Sequence, residues 1–190
     1  MKRLLLADSC DEAQSYVNWH QAMYMAASTG NSQIMDFLLR EPKLQPCREY
    51  RHIRFHPDIQ IPQPFKESLD IASSQGHYDI VSKLLQRPEL DDEARHINQR
   101  HQASMSTALV NAAKKSHTVV IHKLLKDKRT DLGTIDLALL AATKANQLKA
   151  VRLLSRHATE GGVWRALVSY VELSPNLNPR IGAILRSHST

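Results

Sequence analysis

The sequence predicts an all-α fold built from a repeated pair of short helices, interrupted by one long irregular insertion. Three observations carry this expectation. Thr107 to Leu125 places Leu109, Ala112, Ala113, Val120, Ile121, Leu124 and Leu125 at the i, i+3, i+4 spacing of a helix face. The same figure occurs upstream, at Gln21 to Leu39 and Glu67 to Leu85. In each copy a small pair (Ala26-Ala27, Ala72-Ser73, Ala112-Ala113) precedes Gly30, Gly76 or Ser116. An apolar pair and then Leu-Leu follow at the same offsets. Finally, 42% apolar residues with 6 Gly and 8 Pro in 190 residues fit a folded helical chain. Each helix pair has an apolar side too large to leave wet and too small to be a core. Stacking neighbours side by side buries both faces, which makes a solenoid counted as one domain over residues 1–190.

The repeated figure resembles the ankyrin repeat, whose pattern runs T-P-L-H-x-A, then Gly-His, an apolar pair and Leu-Leu. Thr107-Ala108-Leu109 stands where that family has T-P-L, and Gly76-His77 where it has Gly-His. The likeness covers about two thirds of the chain at the helices. It departs from the family in its two long intervals, in the loss of Gly from the third and fourth copies, and in lacking a Gly-Ala-Asp finger. The Leu-Leu-x-x-Pro endings at 38–42 and 84–88 are also similar to effector proteins of intracellular bacteria, which implies action inside a host cell.

In chain order, Leu5-Leu6 precedes Leu38-Leu39 by 33 residues, so residues 1–19 read as a half-repeat cap or the trace of a longer chain. Within them 9–19 is a connector, with Tyr16 and Trp19 expected over the open end. Repeat one spans 20–41 and stops at Pro42, which cannot continue a helix. The insertion, 42–65, holds five of the eight prolines, and alternation around residues 50–55 suits a short extended segment. Repeat two spans 66–87, and a charged loop over 89–104 separates it from repeat three at 106–128. Repeat four, 135–158, carries Ala141-Ala142 and Leu153-Leu154, with Asn146 near the glycine position. Gly161-Gly162 then separates off a capping repeat, 161–190, whose helices run from Val163 to Leu173 and from Asn178 to Ser187.

The chain has no Walker loop, Rossmann fingerprint, HExxH or GxSxG, so the sequence predicts a non-catalytic protein without a cofactor. Cys47, His52 and His56 offer zinc-type donors but no fourth ligand, and Pro57 disfavours the helix that would align the two histidines. They read as solvated loop residues, and no metal is expected. Arg48 beside Cys47 would lower a thiol pKa, but no nucleophile–base motif accompanies it. Two cysteines are too few for a disulfide scaffold, so a reducing cytosol is expected. No apolar run approaches the roughly 18 residues of a membrane span, and Asp8 cuts short the signal-like start at Met1 to Leu6.

A net charge of +6 gathers at Arg48, Arg51 and Arg54, at Lys114-Lys115, and from Lys123 to Arg129. Arg interleaved with Tyr50, His52 and Phe55 is compatible with phosphate and base contacts. The acidic run from Glu89 to Glu93 shares the surface, so solubility and an acidic protein partner are competing readings. The ankyrin resemblance implies contacts from the residues just before the repeat glycine. Those positions are Ser28 and Thr29, Ser74 and Gln75, Lys114 and Lys115, and Lys144, with Tyr24, Asp70 and Val110 beside them. The expectation is a protein-binding scaffold that presents a concave surface and finger loops. Two alternatives stand beside it: a targeting or substrate-recruiting segment of a larger multidomain protein or enzyme, and a basic surface for nucleic acid or acidic partners using Arg48, Arg51, Arg54, Lys114 and Lys115.

Overall fold

The computed structural model describes residues 18–40, 64–87, 101–173 and 177–188, and among these the regular structure is helical, with no strand. A helix over residues 18–29 (α1) is followed by Ser32–Arg40 (α2), Pro64–Gln75 (α3) and Tyr78–Leu85 (α4). Then come His101–Lys114 (α5), Thr118–Leu125 (α6), Leu132–Lys144 (α7), Leu148–Leu154 (α8), Glu160–Leu173 (α9) and Pro179–Ser187 (α10). Successive helices pair, as α3 with α4, α5 with α6, α7 with α8 and α9 with α10. The first helices pack in a row, α3 on α5 on α7 on α9. The second helices make a parallel row, α2 on α4 on α6 on α8 on α10. The core lies between the rows and continues through every pair.

Four of the pairs turn by the same device. The N–H groups of Asn31, His77, His117 and Gln147 donate to the carbonyls of Ala26, Ala72, Ala112 and Ala142 at 3.0, 2.9, 3.0 and 2.9 Å. The intervening Gly30, Gly76, Ser116 and Asn146 take φ of 75°, 81°, 59° and 57°. This is the six-to-one closure of a Schellman motif, which satisfies a helix-end carbonyl and reverses the chain. It also corrects the register read from the fourth copy. Asn146 occupies the glycine position itself, so Ala142-Thr143 is the small pair and Leu154-Ser155 fills the Leu-Leu position. Thr143 can be buried there because its hydroxyl donates to the Leu139 carbonyl at 2.9 Å.

In that register the buried positions repeat. Trp19, Phe65, Met105, Ile135 and Ala166 fill one layer, and Met23, Leu69, Leu109, Leu139 and Tyr170 fill the next. Trp19 therefore does not cover an open end. It is 2% exposed, meets Phe65 edge-on at 5.7 Å, and its indole N–H points to the Leu38 carbonyl at 3.4 Å. The exposed end is marked by Ile34, which is 48% exposed, whereas the matching Ile80, Val120, Ala150 and Ile181 are buried. Met25 and Phe37 are exposed beside it in sequence register.

Polar links run from the second copy to the first and from the third to the second. His77 Nε2 donates to the Ser28 carbonyl at 3.2 Å and His117 Nε2 to the Ser74 carbonyl at 3.0 Å, which places the proton on Nε2 in both rings. Arg87 and Arg129 donate to the Leu39 and Leu85 carbonyls at 2.9 and 2.8 Å, capping the C-termini of α2 and α4. Asp127 holds Arg129 in place through its Oδ1 and Oδ2 at 2.7 Å. Burial would raise the Asp127 pKa, but its hydrogen bonds and charge contact with Arg129 outweigh that and lower it. Near the other end the buried Asp136 accepts from the Thr159 N–H at 2.9 Å and the Thr159 hydroxyl at 2.6 Å, fixing the start of α9.

Several helices begin earlier than the sequence spacing suggests. Pro64 opens α3, in the first turn where its missing N–H costs nothing, and α5 starts at His101 within the stretch expected to be a charged loop. Gly161 and Gly162 lie in the first turn of α9 instead of separating two elements. The half-repeat expected over residues 1–19 and the insertion at 42–65 fall almost wholly outside the described residues.

Candidate functional site

Helical geometry gives the first helices a second face, opposite the buried one. Residues i, i+3 and i+7 on that face are Gln21, Tyr24 and Ser28 on α1, and Glu67, Asp70 and Ser74 on α3. The series continues with Thr107, Val110 and Lys114 on α5, and Leu137, Leu140 and Lys144 on α7. Register thus brings together seven of the residues singled out from sequence, in two rows. Tyr24, Asp70 and Val110 make one row, and Ser28, Ser74, Lys114 and Lys144 the other. Tyr24, Lys114 and Lys144 are exposed, and Asp70, Ser28 and Ser74 are half-buried. Val110 differs from the expectation of a free outward residue, because its side chain is partly buried against the core.

Thr29, Gln75 and Lys115 follow the second row by one residue and are exposed. The Ser28 and Thr29 hydroxyls both donate to the Met25 carbonyl, at 3.0 and 2.8 Å, so in part they finish the end of α1. Arg48, Arg51 and Arg54, together with Cys47, His52 and His56, lie outside the described residues. Among the described residues no three His, Cys, Asp or Glu side chains gather closely enough to hold a metal ion. No described helix is long and apolar enough to cross a membrane.

Asp70 is the unusual member of the face. Its Oδ1 is buried without a hydrogen-bond partner among the described residues. Desolvation pushes its pKa from the ordinary 3.8 to about 7; Glu67 adds to that rise and Lys66 opposes it. Between α1 and α3, His20 Nε2 meets Glu67 Oε2 at 2.7 Å, so the neighbouring carboxylate is already engaged. Because the folded state keeps a proton that the unfolded chain releases, Asp70 removes stability as pH rises from about 4 to about 7. Asp70→Asn should therefore leave the unfolding free energy from urea titration unchanged near pH 4 and raise it at pH 8, by about 1–3 kcal/mol. An equal effect at both pH values would show that burial does not set this carboxyl's pKa.

Sequence reading missed the apolar part of the face. Leu137 and Leu140 on α7 continue onto α9 as Val168 and Val171, with Trp164 one turn before Val168. Leu137, Trp164, Val168 and Val171 are all exposed. A signal was available: α9 also buries Val163, Ala166 and Tyr170, so its apolar residues exceed one helix face. Comparison with family models, with curated proteins and with solved structures finds no match for this chain.

Proposed function

We propose that this chain is an ankyrin-like repeat stack that binds a protein partner through the outer face of its first helices, without chemistry of its own. The observation that carries the reading is the contrast between the two faces. Some buried positions keep their residue type through three or four copies, with Ala26, Ala72, Ala112 and Ala142 all alanine and Leu69, Leu109 and Leu139 all leucine, and the layer from Trp19 through Phe65, Met105 and Ile135 to Ala166 varies in size but stays apolar. The matching outer positions are Tyr24, Asp70, Val110, Leu140 and Val171, no longer a repeat. Packing demands the apolar character of the first set, whereas the second offers aromatic, acidic and aliphatic contacts on a backbone already fixed by stacking. Binding to such a surface costs little conformational entropy. Tyr24, Ser28, Ser74, Lys114 and Lys144 are the proposed contacts, with Thr29, Gln75 and Lys115 along the turn edge.

The test is affinity capture from cell lysate in low and high salt, read by mass spectrometry. Lys114→Glu combined with Lys115→Glu should leave the thermal melt within about 0.5 kcal/mol of wild type, as expected for exposed side chains. The same pair should weaken capture of a salt-resistant protein by about tenfold. Nucleic acid or many acidic proteins lost together in high salt would instead assign the function to the basic charge, because counterion release sets that dependence.

A further inference from the structure

The strip at the α7–α9 end of the face has a chemistry that narrows the partner. Leu137 and Leu140 lie side by side in register with Val168 and Val171, and Trp164, 60% exposed, extends the strip towards the start of α9. These residues follow the helices through about two turns, close to 10 Å at 1.5 Å per residue. That length matches three apolar side chains at i, i+3 or i+4, and i+7 of a bound segment. The charge at the two ends differs. Towards the C-terminal ends of the first helices stand Lys144, Lys114 and Lys115, all exposed. No described carboxylate pairs with them. Towards the opposite end Arg165 is already engaged by the buried Asp136 at 3.2 Å. Glu172, in the last turn of α9 at the lysine end, is exposed next to Val171 but one residue off the strip.

Resting on the protein-binding reading above, we propose that this strip takes an amphipathic peptide segment of a partner, with two or three apolar anchors and carboxylates at one end. The anchors cover Leu137, Val168 and Trp164, and the carboxylates meet Lys144 and Lys114. Nucleic acid fits the strip poorly, since its middle offers aliphatic side chains and no cation.

The test uses the full chain as bait for a displayed library of random 16-residue peptides. Enriched peptides should carry Leu, Ile, Met or Phe at helical spacing with Asp or Glu gathered at one end. Leu137→Asp and Val168→Asp should each weaken such a peptide by more than about tenfold, and so should Lys114→Glu with Lys144→Glu. Reversing the peptide's acids to lysine should restore affinity to that double variant alone. Trp164 emission should shift to the blue on binding, while Trp19, 2% exposed, is already shielded. Should an aspartate variant fail to fold, Leu137→Ser and Val168→Ser make the same comparison without a new charge. The proposal is overturned by enrichment of basic peptides, by peptides without apolar anchors, by binding that survives the strip variants, or by no enrichment. Peptides that bind elsewhere would sink this site and leave the protein-binding reading standing. Failure of lysate capture by the wild-type chain would count against that reading instead.

Discussion

Ala112→Arg is expected to abolish cooperative unfolding. Ala112 is fully buried on α5, the helix packed between α3 and α7, and its carbonyl accepts the His117 N–H at 3.0 Å. An arginine there must bury its charge or force the helices apart. Either outcome costs several kcal/mol, a large part of the roughly 5–15 kcal/mol that holds a domain folded. The damage falls at the middle of the stack, where both neighbouring copies lose their contacts. Far-UV circular dichroism should show a shallow, non-sigmoidal melt. Val119→Arg, on an exposed position of α6, serves as the control and should melt like the wild type. A cooperative, unshifted transition in Ala112→Arg would contradict the packing described.

The second large effect is at Gly76. Its φ of 81° disfavours any side chain, and an added Cβ would stand 2.6 Å from Nδ1 of His117. Gly30 stands in the same relation to His77. Backbone strain of about 1 kcal/mol and the clash together should make Gly76→Ala cost about 2–4 kcal/mol. The later copies show the natural escape. Ser116 and Asn146 replace glycine at φ of 59° and 57°, and the copies after them carry Gln147 and Asn178 instead of histidine. Gly76→Ser with His117→Gln copies the Ser116–Gln147 pair. It should cost less than the sum of the single changes, by about 1–2 kcal/mol in a urea double-mutant cycle. Strict additivity would mean that the ring and the glycine are not coupled.

That coupling shows what the sequence made legible and what it withheld. Helix type and the Ala-and-Leu core of three copies were readable, because each core slot demands an apolar or small side chain and the closest approaches demand alanine. The loss of glycine looked like decay of the pattern, although it follows the loss of histidine one copy later, a relation visible only once the copies are stacked. In the fourth copy, Ala141-Ala142 and Leu153-Leu154 keep the right mutual spacing one residue out of place, so pair matching alone could not detect the shift. The real slots hold Thr143 and Ser155, whose hydroxyls bond within their own helices to the Leu139 and Arg152 carbonyls. The repeat resemblance pointed to Lys114 and Lys144, and charge to Lys114 as well, whereas Trp164 and Val168 read as ordinary helix residues. Their exposure depends on which side of α9 meets α7.

The central claim is that the outer face of the first helices is the binding surface, and paired variants test it most directly. Wild type, a face variant (Tyr24→Ala with Lys144→Glu) and a second-helix variant (Val119→Asp with Lys123→Glu) would be compared in one capture experiment, quantified by mass spectrometry. The expected result is a partner retained by the wild type and the second-helix variant and lost from the face variant, with all three melting alike. Loss from the second-helix variant and retention by the face variant would place binding on the opposite row of helices and contradict the account.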